Sequence, residues 1–152
     1  MQSLEGLDEL YEQIVLDHYR NPRHSDLLTS PAVDIEVNNP FCGDEIRLQL
    51  KTGDDGRVSA VSVAGRGCAI SQSSGSLLTE LVHGKDAAGL HGTVTLVRRL
   101  MKGDPVSEAE MDALGDLSAL SGVRKFPVRI KCALLAWSAL EEAAEKLEQG
   151  AK

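Results

Sequence analysis

The chain has 152 residues, 42% of them hydrophobic and 26% charged, which is enough apolar material for one core and a single domain spanning 1–152. A formal net charge of −7 argues against nucleic acid and against an anionic membrane surface as partners. No apolar run reaches the roughly 18 residues of a membrane span. The acidic, periodic stretch from Met1 to Glu12 does not read as a secretory signal, so a cytoplasmic protein with reduced thiols is expected.

Leu7, Leu10, Tyr11, Ile14 and His18 recur at helical spacing and predict an amphipathic helix over 7–20, stopped by Asn21-Pro22. Period-two alternation follows. Val33, Ile35 and Val37 predict one strand, Ile46, Leu48 and Leu50 a second, and Val58, Val61 and Val63 a third. Gly53-Asp54-Asp55-Gly56 is the turn between the last two. The remainder reads as helical. One helix covers 70–82, ending near Gly84, and another covers 93–101, stopped by Gly103-Asp104-Pro105. Ser107-Glu108-Ala109-Glu110 has the order of a capping box and opens a short helix. The stretch 112–126 is weakly periodic and reads as a loop with a short helical piece. A last helix starts near Pro127 and runs to about Gln149, with Trp137, Leu140, Ala144 and Leu147 on its buried face. The expected class is α+β: a three-stranded antiparallel sheet packed against several helices, with a long C-terminal helix. The basic stretches at 98–102 and 124–131 read most simply as solvated helix faces.

Three cysteines cannot all pair within one chain, which favours metal or catalytic use over a disulfide frame. Cys42 lies in the connection between the first two strands. Cys68 follows Gly65-Arg66-Gly67, where the third strand gives way to a helix, and Cys132 lies in the first turns of the last helix. A thiol near a helix N-terminus has its thiolate favoured by the helix dipole. With Asp44 there are three sulfurs and one carboxylate, a donor set that tetrahedral zinc accepts and that residue types alone do not separate from an iron–sulfur site. Gly43 permits the tight backbone that would turn Cys42 and Asp44 to one point. Of the histidines, His18 reads as a structural residue of the first helix, His83 and His91 as solvated, and His24 as a further possible ligand.

Three motifs in order resemble the SufU branch of the IscU/NifU-N-like family: Asn39-Pro40-Phe41-Cys42-Gly43-Asp44, Gly65-Arg66-Gly67-Cys68-Ala69-Ile70-Ser71, and Arg129-Ile130-Lys131-Cys132-Ala133-Leu134-Leu135-Ala136-Trp137. The opening stretch from Leu10 to His24 is similar to that family's first helix. Lys131 stands where IscU-type scaffolds carry a histidine, and the stretch 101–126 is long enough to hold the insertion of the SufU branch. The resemblance implies a SufE/NifU-like fold and one zinc ion on Cys42, Asp44, Cys68 and Cys132. It implies a zinc-dependent sulfurtransferase in which Cys42 accepts persulfide sulfur from a SufS-type, pyridoxal-phosphate-dependent cysteine desulfurase. A histidine of that partner would release Cys42, and the sulfur would pass to a downstream iron–sulfur assembly scaffold. Arg129, three residues before Cys132 on the same helix face, is the further catalytic candidate, placed to hold Asp44 or a persulfide. The alternatives are a scaffold that assembles a [2Fe–2S] cluster on the same residues, and a zinc ion with a purely structural role. A zinc hydrolase is disfavoured, since four protein ligands leave no position for water.

Overall fold

The computed structural model describes residues 9–39 and 43–150. Three strands, β1 (Val33–Asn39), β2 (Asp44–Thr52) and β3 (Val58–Arg66), form an antiparallel sheet in the order β1-β2-β3. Val33 pairs with Leu50 and Asn39 with Asp44 at the two ends of the first ladder, and Glu45 pairs with Arg66 near the end of the second. Alternation assigns the faces. Ile35, Ile46, Leu48, Leu50, Val61 and Val63 point into the core. On the other face Asp34 receives two hydrogen bonds from the Arg47 guanidinium, at 3.0 and 2.7 Å, and a third from Gln49.

The helices are α1 (Glu9–Arg20), α2 (Ala69–Val82), α3 (Ala87–Lys102), α4 (Glu108–Leu114) and α5 (Pro127–Gly150), with a 3-10 segment, Gly115–Lys125, between the last two. Helix α5 packs across β1 and β2 and against α2 and α3, while α2 packs on β3 and against α1. Trp137, the one tryptophan, is fully buried at this junction beside Leu140, Ala143 and Ala144. The capping box is formed as expected: Ser107 Oγ accepts the Glu110 amide at 3.1 Å, and Glu110 Oε1 accepts the Ser107 amide at 3.0 Å.

Helix α2 buries hydroxyl residues along with its apolar ones. Ser71, Ser73, Ser74, Ser76 and Thr79 are all buried, and small hydroxyl side chains let neighbouring backbones come close. Their hydroxyls are satisfied: Ser73 donates to Val15 O and Ser74 to Ala133 O, both at 2.6 Å, and Trp137 Nε1 donates to Ser74 Oγ at 3.0 Å. His18 is buried against this helix, with Nδ1 2.7 Å from Ser76 Oγ, as a structural histidine should be.

Two segments differ from the sequence expectation. Helix α3 begins at Ala87 rather than Thr93, because the Asp86 carboxylate caps it by accepting the Gly89 amide at 2.9 Å. Gly89 and Gly92 had weakened the helical signal there. The stretch 112–126 is helical nearly throughout, and Leu117, Ala119, Leu120 and Val123 are buried. Its period near three escapes a search tuned to 3.6 residues per turn.

Candidate metal centre

Three of the four expected ligands lie among the described residues, and the fold brings them together. One carboxylate oxygen of Asp44 and the Sγ atoms of Cys68 and Cys132 all lie within 4.8 Å of one another. Each arrives by a different route. Asp44 is the first residue of β2, on the inward face it shares with Ile46 and Leu48, and it has no solvent exposure. Gly43, with φ of +73°, makes the turn into that strand, and its amide donates to Asn39 O at 2.8 Å. Cys42 lies outside the described residues, together with Pro40 and Phe41.

Cys68 is the N-cap residue of α2, in extended conformation. Its amide donates to Asp44 Oδ1 at 2.9 Å, and its Sγ accepts the Ser71 amide at 3.5 Å. The sulfur thus occupies the position usually held by a capping oxygen, accepting an amide of the first turn that no helical carbonyl reaches. The Ser71 hydroxyl donates to Cys68 O at 3.1 Å and lies 3.8 Å from the sulfur.

Cys132 lies in the first turns of the last helix, as expected. It is the sixth residue of α5, and its thiol points back along the helix to Val128 O at 3.8 Å. Cys132 is also 1% exposed, so the site is open at Cys68 and closed at Cys132 and Asp44.

The donor set fits a tetrahedral ion. Zinc with sulfur at about 2.3 Å and oxygen at about 2.0–2.2 Å places ligand atoms about 3.5–3.8 Å apart. Cys68 Sγ and Asp44 Oδ2 are 3.8 Å apart without any rearrangement. A carboxylate with no solvent exposure beside two thiols is a costly arrangement that a cation would favour. Arg129 lies three residues before Cys132 on α5, half-buried, and its guanidinium forms no ion pair with another described residue. Of the histidines, His18 bonds Ser76, and His91 pairs with Glu148 at 2.7 Å rather than standing solvated. Neither His24 nor His83 joins the cluster.

Ser71 and Gly67, both within the motif around Cys68, lie at the site and carry no assigned role in the sequence reading. A serine three residues after a would-be N-cap cysteine, and a glycine directly before it, were the available signals.

The sequence profile of the NifU-like N-terminal domain matches residues 10–133. The chain is 43% identical over 145 residues to the Bacillus subtilis (strain 168) zinc-dependent sulfurtransferase SufU, covering 95% of this chain and 96% of that protein. It is 36% identical over 144 residues to the iron–sulfur cluster assembly scaffold protein IscU of Streptococcus pyogenes serotype M1, covering 95% and 88% of the two chains. Among solved structures, one from Fervidobacterium islandicum AW-1, described as a putative iron–sulfur cluster assembly scaffold protein for the SUF system, superposes with a TM-score of 0.81 at 27% identity. That match covers 93% of this chain and 98% of the other.

Proposed function

Because the chain belongs to the NifU-like N-terminal domain family, we propose that it is a zinc-dependent sulfurtransferase of iron–sulfur cluster assembly, working in the cytoplasm with a SufS-type cysteine desulfurase. The observation that supports this reading most is the convergence of Asp44, Cys68 and Cys132 within 4.8 Å, on a chain so similar to a zinc-dependent sulfurtransferase. Cys42 completes the proposed ligand set, since it precedes Asp44 by two residues in the sequence. Absence of a helix long and apolar enough to cross a membrane, among the described residues, is compatible with this setting.

A zinc ion bound here would keep the cysteines as thiolates near neutral pH. The chain's own groups do the rest. Cys68 is held by its cap and by Asp44, and Cys132 by the second turn of a long helix, so both have fixed positions. Cys42, next to Gly43 in the sequence, is the sulfur acceptor. Its thiolate attacks the outer sulfur of the desulfurase persulfide, the donor's S–S bond breaks, and the donor cysteine leaves as thiolate while Cys42 becomes the persulfide. Arg129 stands on the Cys132 side and would stabilise the persulfide's negative charge. The sulfur then passes to a downstream assembly scaffold.

The test combines metal analysis, an absorption spectrum and a desulfurase assay. One equivalent of zinc, no visible absorption, and faster sulfide release by the desulfurase are expected, with the acceleration lost in Cys42→Ser. Arg129→Ala should slow acceptance while leaving zinc in place. The second reading, a scaffold carrying a [2Fe–2S] cluster, is favoured by the 36% identity to a relative named as a scaffold. Iron with charge-transfer bands in the purified protein would select it.

A further inference from the structure

Gly67 immediately precedes Cys68 and lies one step past the last sheet pair, Glu45 with Arg66, which sets it against Asp44. A Cβ at Gly67 would overlap Asp44 Oδ1 and would stand 2.7 Å from Asp44 Cγ and 3.0 Å from Asp44 Cα. Such approaches to the carboxyl group are closer than any side-chain carbon tolerates. Gly43, at the other end of the same site, meets nothing within 4 Å at the corresponding position. The requirement at Gly43 is therefore conformational, while at Gly67 it is chiefly one of space. The space matters because the carboxylate lying over Gly67 bonds the Cys68 amide through Oδ1 at 2.9 Å and approaches Cys68 Sγ through Oδ2 at 3.8 Å.

We propose that Gly67 is the positioning residue for Asp44: its missing side chain makes the seat in which the carboxylate is aimed at the two sulfurs. The consequence for metal binding rests on the ligand reading given above, whereas the seating itself does not. Replacing Gly67 by alanine expels the oxygen donor without touching a cysteine. A φ of +149° at Gly67 also strains any residue with a side chain, so a single substitution does not separate seat from backbone.

The separation comes from a double-mutant cycle of wild type, Gly67→Ala, Asp44→Ala and the double variant. The readouts are thermal unfolding of each protein as purified, zinc affinity by competition with a chromophoric chelator, and the visible spectrum after cobalt(II) substitution. Gly67→Ala should lower the melting temperature in the wild-type background and by clearly less in the Asp44→Ala background. It should weaken zinc binding about 10- to 100-fold, as loss of a supporting group does. In the Asp44→Ala background the same change should alter affinity by less than about threefold. The cobalt band positions of Gly67→Ala should move to those of Asp44→Ala. If Gly67→Ala alone fails to accumulate as folded protein, adding Asp44→Ala should restore it. Equal effects of Gly67→Ala on melting in both backgrounds, or failure of that restoration, would overturn the inference and leave backbone strain as the cause. Asp44→Ala with wild-type zinc affinity would instead sink the ligand set, while the melting coupling still decides the role of Gly67.

Discussion

Asp44 does two things that substitutions can pull apart. Its Oδ1 accepts the Cys68 amide, which holds the start of α2 against the start of β2, and in the proposed centre its charge would make it a metal donor beside two sulfurs. Asparagine keeps an oxygen that can accept the amide but removes the charge. Asp44→Asn should therefore leave urea-unfolding stability of the zinc-stripped protein near wild type, yet weaken zinc about 10- to 100-fold in chelator competition. Asp44→Ala should show the same affinity loss plus about 1–3 kcal/mol of lost stability, because the Cys68 amide loses its acceptor. Two variants with unchanged zinc affinity would remove Asp44 from the ligand set.

Helix α2 is the element on which the site depends, since its N-cap is a proposed ligand and its interior faces touch α1, β3 and α5. Its burial works only because each hydroxyl has a partner. Ser74 is the junction: it donates to Ala133 O, one residue after Cys132, and accepts the indole N–H of fully buried Trp137. Ser74→Ala removes both bonds and leaves that N–H unpaired, which should cost about 1–3 kcal/mol in urea unfolding, with a shift in Trp137 fluorescence. A change below about 0.5 kcal/mol would mean that the α2–α5 contact is held by apolar packing alone. The shared position of Ser74 and Cys132 also ties the geometry of the site to the main helix contact of the core.

For the molecule as a whole, acid should act in two windows. Burial pushes the His18 imidazole below its ordinary 6.5, with Arg23 adding to the effect and Glu80, Asp17 and Asp116 opposing it. The unfolded chain then binds a proton that the folded state refuses. Stability is full above 6.5 and falls as pH drops below it, until the folded histidine itself titrates. The second window is lower. The Arg47 guanidinium and Gln49 hold Asp34 down to about 2 from 3.8, and Arg99 and the Ser107 amide hold Glu110 down to about 2 from 4.5. Stability from these carboxylates is present above the ordinary values and is lost as pH falls through about 2. Urea unfolding across pH should show both declines. His18→Gln should flatten the upper one, and Asp34→Asn should reduce the lower one without changing the upper. An unchanged slope between about pH 7 and pH 5 in His18→Gln would show that His18 is not its source.

Much of this protein was determined by its sequence alone, wherever the governing interaction is local. The three strands follow from alternation within a few residues, the short helix after Ser107 from a capping box that closes over three residues, and the turn into β2 from a glycine at positive φ. The donor types of the site, sulfur and carboxylate, are also plain in the sequence, and so is the family. Tertiary structure decided the rest. Asp44, Cys68 and Cys132 come from a strand start, a helix cap and a second helical turn, and only the packing of α2 and α5 on the sheet brings their ligand atoms within 4.8 Å. That Ser73 and Ser74 of α2 would be buried was not legible, because their hydroxyls are satisfied by α1 and α5, which are distant in the chain. Gly67 stands in the motif before Cys68, but its closeness to Asp44 shows only in the fold. Short-range hydrogen bonds and side-chain periodicity can be read residue by residue, but the convergence of distant groups depends on which faces the assembled core presses together.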